Sequence, residues 1–118
     1  MSRNDQITNE VFKGAVAELW ALRLYGNRET LAANKTLTHD DKTFQVLDPG
    51  GAARDVLLPA EKDGAIFIVA NNADAAENLV VKEDAGTTTI ATVAQDGVGI
   101  FVSDGTGWAG FTVTGVVT

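Results

Sequence analysis

Ala65-Ile66-Phe67-Ile68-Val69-Ala70 is the stretch on which the fold turns. Its apolar core, Ile66 to Val69, is bounded by Glu61-Lys62-Asp63-Gly64 on one side and by the polar run Asn71 to Asn78 on the other. A short unbroken run of β-branched and aromatic residues between turn signals predicts a central buried strand.

Moving outward from it, the same grammar repeats. Upstream, residues 54–58 form a short strand closed by Pro59, and Asp48-Pro49-Gly50-Gly51 is a chain-reversing sequence. Before that, residues 36–38 and 43–47 flank Asp40-Asp41 and predict a first hairpin. Downstream, strands are expected at 79–82, 87–94 and 99–102, with turns at Glu83-Asp84-Ala85-Gly86 and Gln95-Asp96-Gly97. A last strand at 108–117 follows Asp104-Gly105-Thr106-Gly107. Turn signals every 8–12 residues or so leave no room for helical crossovers. The expected body is therefore mainly β, a compact antiparallel sandwich or barrel of about seven or eight short strands. Thr87, Thr88, Thr89, Thr92, Thr112 and Thr114 suit its half-exposed faces. The alternating C-terminal stretch serves either as an ordinary edge strand or as an addition to a neighbour's sheet.

Ahead of this body the period changes. Residues 9–25 carry Val11, Ala15, Leu19 and Leu22 on one stripe, widened by Phe12, Val16, Trp20 and Leu24, the pattern of an amphipathic helix. Thr8 or Asn9 supplies the N-cap and Gly26-Asn27 the left-handed stop. Gly14 in its interior costs about 1 kcal/mol relative to Ala, so the helix depends on packing. Two partners are open to it: its own β-domain, or a neighbouring subunit or protein, which it would grip with aromatic anchors. The chain thus divides into an N-terminal helical arm and linker over 1–34 and a β-domain over 35–118, with the polar stretch 27–34 as the linker.

Composition narrows the function classes. A chain of 118 residues, 45% hydrophobic and 21% charged, holds one domain with a real core. Cysteine is absent, which removes disulfides, thiolate nucleophiles and Cys-based zinc sites. Of the net charge of −7, the first 35 residues carry a slight positive excess, so the acidity belongs to the body. An acidic body repels phosphate backbones, which argues against nucleic acid as the main partner. No apolar run is long enough for a bilayer span and no signal-peptide h-region is present, so a soluble protein without a membrane partner is expected.

The residue inventory offers little catalysis. A Ser-His-Asp system needs Ser103 and the one histidine, His39, to meet without an elbow motif around the serine. His39-Asp40-Asp41 lacks metal-ligand spacing, and neither Asp48-Pro49-Gly50 nor Asp104-Gly105-Thr106-Gly107 has the calcium-loop ladder. Glu83 with Asp84, and Asp74 with Glu77, are carboxylate pairs that nothing in the sequence sets across a cleft. Gly50-Gly51-Ala52-Ala53-Arg54 lacks the Gly-Lys-Ser/Thr ending of a phosphate loop and reads as a turn. Arg54, isolated in an acidic body, is expected to pair with a carboxylate. No enzyme activity, cofactor or metal is expected.

The order of Asn34-Lys35-Thr36-Leu37-Thr38, of the run from Phe44 to Pro59, of Gly64 to Asn71 and of Asp104-Gly105-Thr106-Gly107-Trp108 resembles small structural proteins of tailed bacteriophages. The resemblance covers residues 34–110 and is to head decoration proteins and to β-modules of head or tail fibres. It implies a β-rich virion protein, made in the host cytoplasm and carried on the capsid surface. It also implies a homo-oligomer, a trimer foremost, that binds the major capsid protein or another virion protein. Val11, Phe12, Leu19, Trp20 and Leu22 are the expected arm contacts, and Arg54, Trp108 and Phe111 the expected oligomer or core contacts. The competing expectation is a receptor- or glycan-binding fibre module with an exposed aromatic platform, for which Trp108 is the candidate.

Overall fold

The computed structural model describes residues 26–114. The expected helix over 9–25, with its arm residues Val11, Phe12, Leu19, Trp20 and Leu22, lies outside the described residues. Within them the chain is mainly β, with nine strands in two sheets. They are β1 (Asn27–Thr30), β2 (Lys35–Thr36), β3 (Phe44–Asp48), β4 (Arg54–Leu57), β5 (Ile66–Asn71), β6 (Leu79–Lys82), β7 (Thr89–Val93), β8 (Gly97–Ser103) and β9 (Trp108–Thr114).

From β2 onward the strands lie close to where the alternation placed them, whereas β1 was not expected; the pairing is not the antiparallel one expected. One sheet has the order β1-β3-β5-β8-β9 and the other β2-β4-β6-β7. β1, β3 and β5 run parallel to one another, as do β2, β4 and β6. Only β8 and β9 on one sheet, and β7 on the other, close the body antiparallel. Parallel neighbours need a long crossover. Here each crossover is itself a strand of the opposite sheet, so the described residues wind as stacked rungs with no crossover helix. For the same reason the residues flanking Asp40-Asp41 form no hairpin: β2 and β3 belong to different sheets.

The stretch 27–34, expected as a linker, is built into the body. β1 pairs with β3 from Asn27↔Gln45 to Thr30↔Asp48, and the Leu31 amide extends this ladder by donating to the Asp48 carbonyl at 2.7 Å. Leu31 itself is buried. Beside it Gly50 is held at φ 76°, and a Cβ there would strike the Leu31 carbonyl oxygen, which accounts for glycine in the Asp48-Pro49-Gly50-Gly51 turn.

Between the sheets lies one core. Leu47, Phe67, Val69 and Phe101 enter from the five-stranded sheet, Val56, Leu79, Val81 and Val93 from the four-stranded one, and Leu31, Leu37 and Leu58 fill in from connecting segments. All are buried, and burying each such side chain contributes roughly 1.5–3 kcal/mol.

Candidate assembly surface

Because side chains alternate along a strand, each core residue fixes what its neighbours present outward. On the four-stranded sheet the outward positions are mixed: Asp55 pairs with Val80 and Val80 with Thr92, while Leu57 pairs with Lys82 and Lys82 with Thr89. Lys82 Nζ donates to Asp55 Oδ2 at 3.0 Å across this face. That is an ordinary solvated sheet surface.

The outward face of the five-stranded sheet is different. Phe44 pairs with Ile68, Ile68 with Ile100 and Ile100 with Phe111, giving one continuous row across four strands. Val46, Ala70, Val98 and Val113 form the next row, and Ile66, Val102 and Ala109 the one on the other side. Within the described residues these side chains have no covering layer: Phe111 is 58% exposed, Val113 53%, Ile66 46%, Val102 42% and Phe44 37%. Polar residues appear only at the β1 corner, where Arg28 lies beside Val46 and Thr30 beside Asp48. A contiguous apolar patch of this kind marks an interaction surface.

The polar side chains that sequence reasoning weighed for chemistry are engaged in holding turns. Glu83 Oε1 accepts the amides of Thr87 at 2.6 Å and Thr88 at 2.8 Å, and Oε2 accepts that of Ala85 at 2.9 Å. These donors, the Thr88 amide foremost, hold the Glu83 carboxyl below its ordinary value. Asp104 Oδ1 likewise accepts the amides of Thr106 and Gly107, which lowers its value in the same way. Ser103 Oγ accepts from the amides of Lys62 and Gly105 at 3.1 Å each, whereas His39 Nε2 contacts the Ala60 carbonyl at 2.7 Å. Serine and histidine thus have separate partners and make no hydrogen bond to each other.

A carboxylate whose folded value is depressed contributes stability above its unfolded value and loses it as pH falls through the folded one. Glu83→Gln is therefore expected to melt below the wild type at pH 7, with the gap closing as pH drops from about 4.5. Thermal melts between pH 7 and 3 measure this, and a gap that stays constant over that range contradicts it.

Arg54, expected to meet a carboxylate within the chain or across an interface, donates its Nε to the Pro49 carbonyl at 2.9 Å and so braces the turn before β4. Trp108 is half-buried, its ring 6.1 Å from that of Phe67, and its Nε1–H donates to the Pro59 carbonyl at 2.9 Å. It also borders a cleft lined by Val102, Ser103, Asp104, Gly107 and Ala109. Phe111 stands on the apolar face.

Asp74 and Glu77 are brought together with Asp48, a residue the sequence linked only to a turn; their carboxylate oxygens lie within 4.8 Å of one another. This is the acidic group among the described residues whose donor set could hold a cation. The other members of the apolar face, Phe44, Val46, Ile66, Ile68, Ile100, Val102 and Val113, were read from sequence as strand residues and not as contact residues. Their signal was there in the strands that stay apolar at odd and even positions alike.

No helix among the described residues is long and apolar enough to cross a membrane. In comparisons with known proteins, no family model, curated protein or solved structure matches this chain.

Proposed function

We propose that this chain is a non-enzymatic virion structural protein, a capsid decoration or stabilising protein that binds the phage head surface as a homo-oligomer, three copies foremost. The observation that carries the reading is the apolar patch across four strands of the five-stranded sheet, since a contiguous exposed patch of this kind marks an interaction surface. Turn-holding roles for Glu83, Asp104 and Ser103 support it further. The virion setting comes from the resemblance of residues 34–110 to decoration and fibre modules.

In this reading the arm residues Val11, Phe12, Leu19, Trp20 and Leu22 contact the major capsid protein or another virion protein. Ligation across neighbouring capsid subunits stabilises the shell by mass action, because the bound form is favoured over the separated one. Mixing the purified protein with undecorated capsids tests it. Saturable binding with a raised melting temperature of the shell is expected. Absence of binding, together with a positive signal on a glycan array, would transfer the chain to the receptor- or glycan-binding class.

A further inference from the structure

We propose that Asp48, Asp74 and Glu77 hold a hard divalent cation of the calcium type, which ties the end of β3 to the loop leading into β6. Such a site is independent of the assembly reading above.

Two turns from separate parts of the chain make the group. Asp48 closes β3, while Asp74 and Glu77 lie between β5 and β6. The Asn72 amide donates to the Leu47 carbonyl at 2.8 Å and the Arg54 amide to the Asn78 carbonyl at 3.0 Å, so backbone holds the two turns side by side. Asn71 Nδ2 fixes the Glu77 carbonyl at 2.8 Å, and Gln95 Nε2 holds that of Ala73 at 3.3 Å. A Cβ on Gly51 would stand 4.0 Å from Glu77 Oε2, which sets this carboxylate against the turn that follows Asp48. The backbone therefore keeps together three carboxylates that their charges drive apart.

No ion pair among the described residues offsets those charges. The pairs there are Lys35 with Glu29 and Lys82 with Asp55, and Arg54, beside the same turn, directs its Nε to the Pro49 carbonyl. A separate observation bears on one member of the group. Glu77 Oε1 is closed off from solvent and has no hydrogen-bond partner among the described residues. Buried polar atoms are nearly always satisfied, and a buried carboxylate oxygen above all needs a donor or a cation. Asp48 Oδ1 accepts the Gly50 amide at 2.9 Å, which leaves Oδ2 of that side chain for a ligand.

The donor set selects the ion. Carboxylate oxygens with neither His nor Cys suit calcium and magnesium over zinc or copper. Calcium binds oxygens at about 2.3–2.6 Å, so two of its ligands stand up to about 5 Å apart. The three carboxylates offer oxygens within 4.8 Å of one another and can share one such ion where they stand. Magnesium, at about 2.0–2.1 Å, needs its ligands within about 4.2 Å and in near-octahedral array. Asp74 is exposed, so the remaining positions open to water.

Thermal melts of the full chain, freed of metal by chelation, test the site. Calcium at about 10 mM, above the ~0.1–1 mM dissociation constants of weak oxygen sites, is expected to raise the melting temperature by about 5 °C or more over sodium chloride of equal ionic strength. Magnesium at the same concentration is expected to give a smaller shift. Asp74→Asn and Glu77→Gln are expected to lose the calcium shift, whereas Asp84→Asn, in the separate acidic turn after β6, keeps it. Because Asp74 is exposed, its replacement leaves the fold intact, and equilibrium dialysis is expected to find one calcium per wild-type chain and none in this variant. A calcium shift no larger than that of sodium chloride would overturn the proposal; a proton shared among the carboxylates, or a basic side chain from outside the described residues, would give that result. A shift that survives in both site variants, or is lost equally in Asp84→Asn, would overturn it too. A magnesium shift as large as that of calcium would overturn the choice of ion.

Discussion

Phe101→Ala is expected to lower the unfolding free energy by about 3–5 kcal/mol, toward the upper end for a large-to-small core change. Phe101 is fully buried in β8, paired with Phe67 on one side and Gly110 on the other. Its ring occupies space that two neighbours leave empty by having no side chain. A Cβ on Gly99 would lie 2.7 Å from Phe101 Cε2, and one on Gly110 would overlap Cδ1. When the ring is removed, these glycines have nothing to move into the gap, so the cavity persists. Denaturant titration at a fixed protein concentration measures the loss, since an oligomer's apparent stability varies with concentration. A loss below about 1 kcal/mol would show that the site collapses and that Phe101 does not organise the core.

Asn71→Leu is expected to cost about 3 kcal/mol, although it keeps the number and branching of side-chain heavy atoms. Asn71 is fully buried at the end of β5. Its Nδ2 donates to the Glu77 carbonyl at 2.8 Å and to the Val93 carbonyl at 2.9 Å, and its Oδ1 accepts the Ala73 amide at 2.9 Å. One amide group therefore joins the five-stranded sheet to β7 of the other sheet and also fixes the loop that follows β5. Leucine leaves those backbone groups without partners, and each buried orphan costs about 1–3 kcal/mol. The same denaturant titration measures the change. A neutral outcome would mean that water replaces all three bonds and that Asn71 is not a tie between the sheets.

These two residues also mark where the sequence was legible. The strand around Phe101 was visible because period-two alternation and Asp-Gly turns are local signals. Asn71 read only as the start of a polar loop, since nothing local distinguishes a solvated asparagine from one that also reaches the Val93 carbonyl, 22 residues away. Strand partners failed for a related reason. Alternation sets which way a side chain points, whereas the parallel pairing of β1, β3 and β5 depends on the chain crossing between sheets, a long-range choice with no local mark.

The apolar face is the instructive middle case. Ile66-Phe67-Ile68-Val69 was read as a strand buried on both sides, and its apolarity on both sides is real. Phe67 and Val69 are buried in the core, while Ile66 faces outward at 46% exposure with no covering layer among the described residues. The sequence thus carried the demand for a second partner without saying what that partner is. Phe44 and Phe111, far apart in sequence, meet Ile68 and Ile100 only through the register. Trp108, conspicuous in its Asp-Gly-Thr-Gly-Trp turn, is instead tied to Phe67 and Pro59, leaving Phe111 as the exposed aromatic of β9.

The proposal that this chain assembles with copies of itself is tested most directly by the native mass of the unmodified 118-residue chain. The account predicts a species of three times the 12.4 kDa chain mass at micromolar concentration. A stable species of a single chain mass, unchanged as concentration rises, would contradict it.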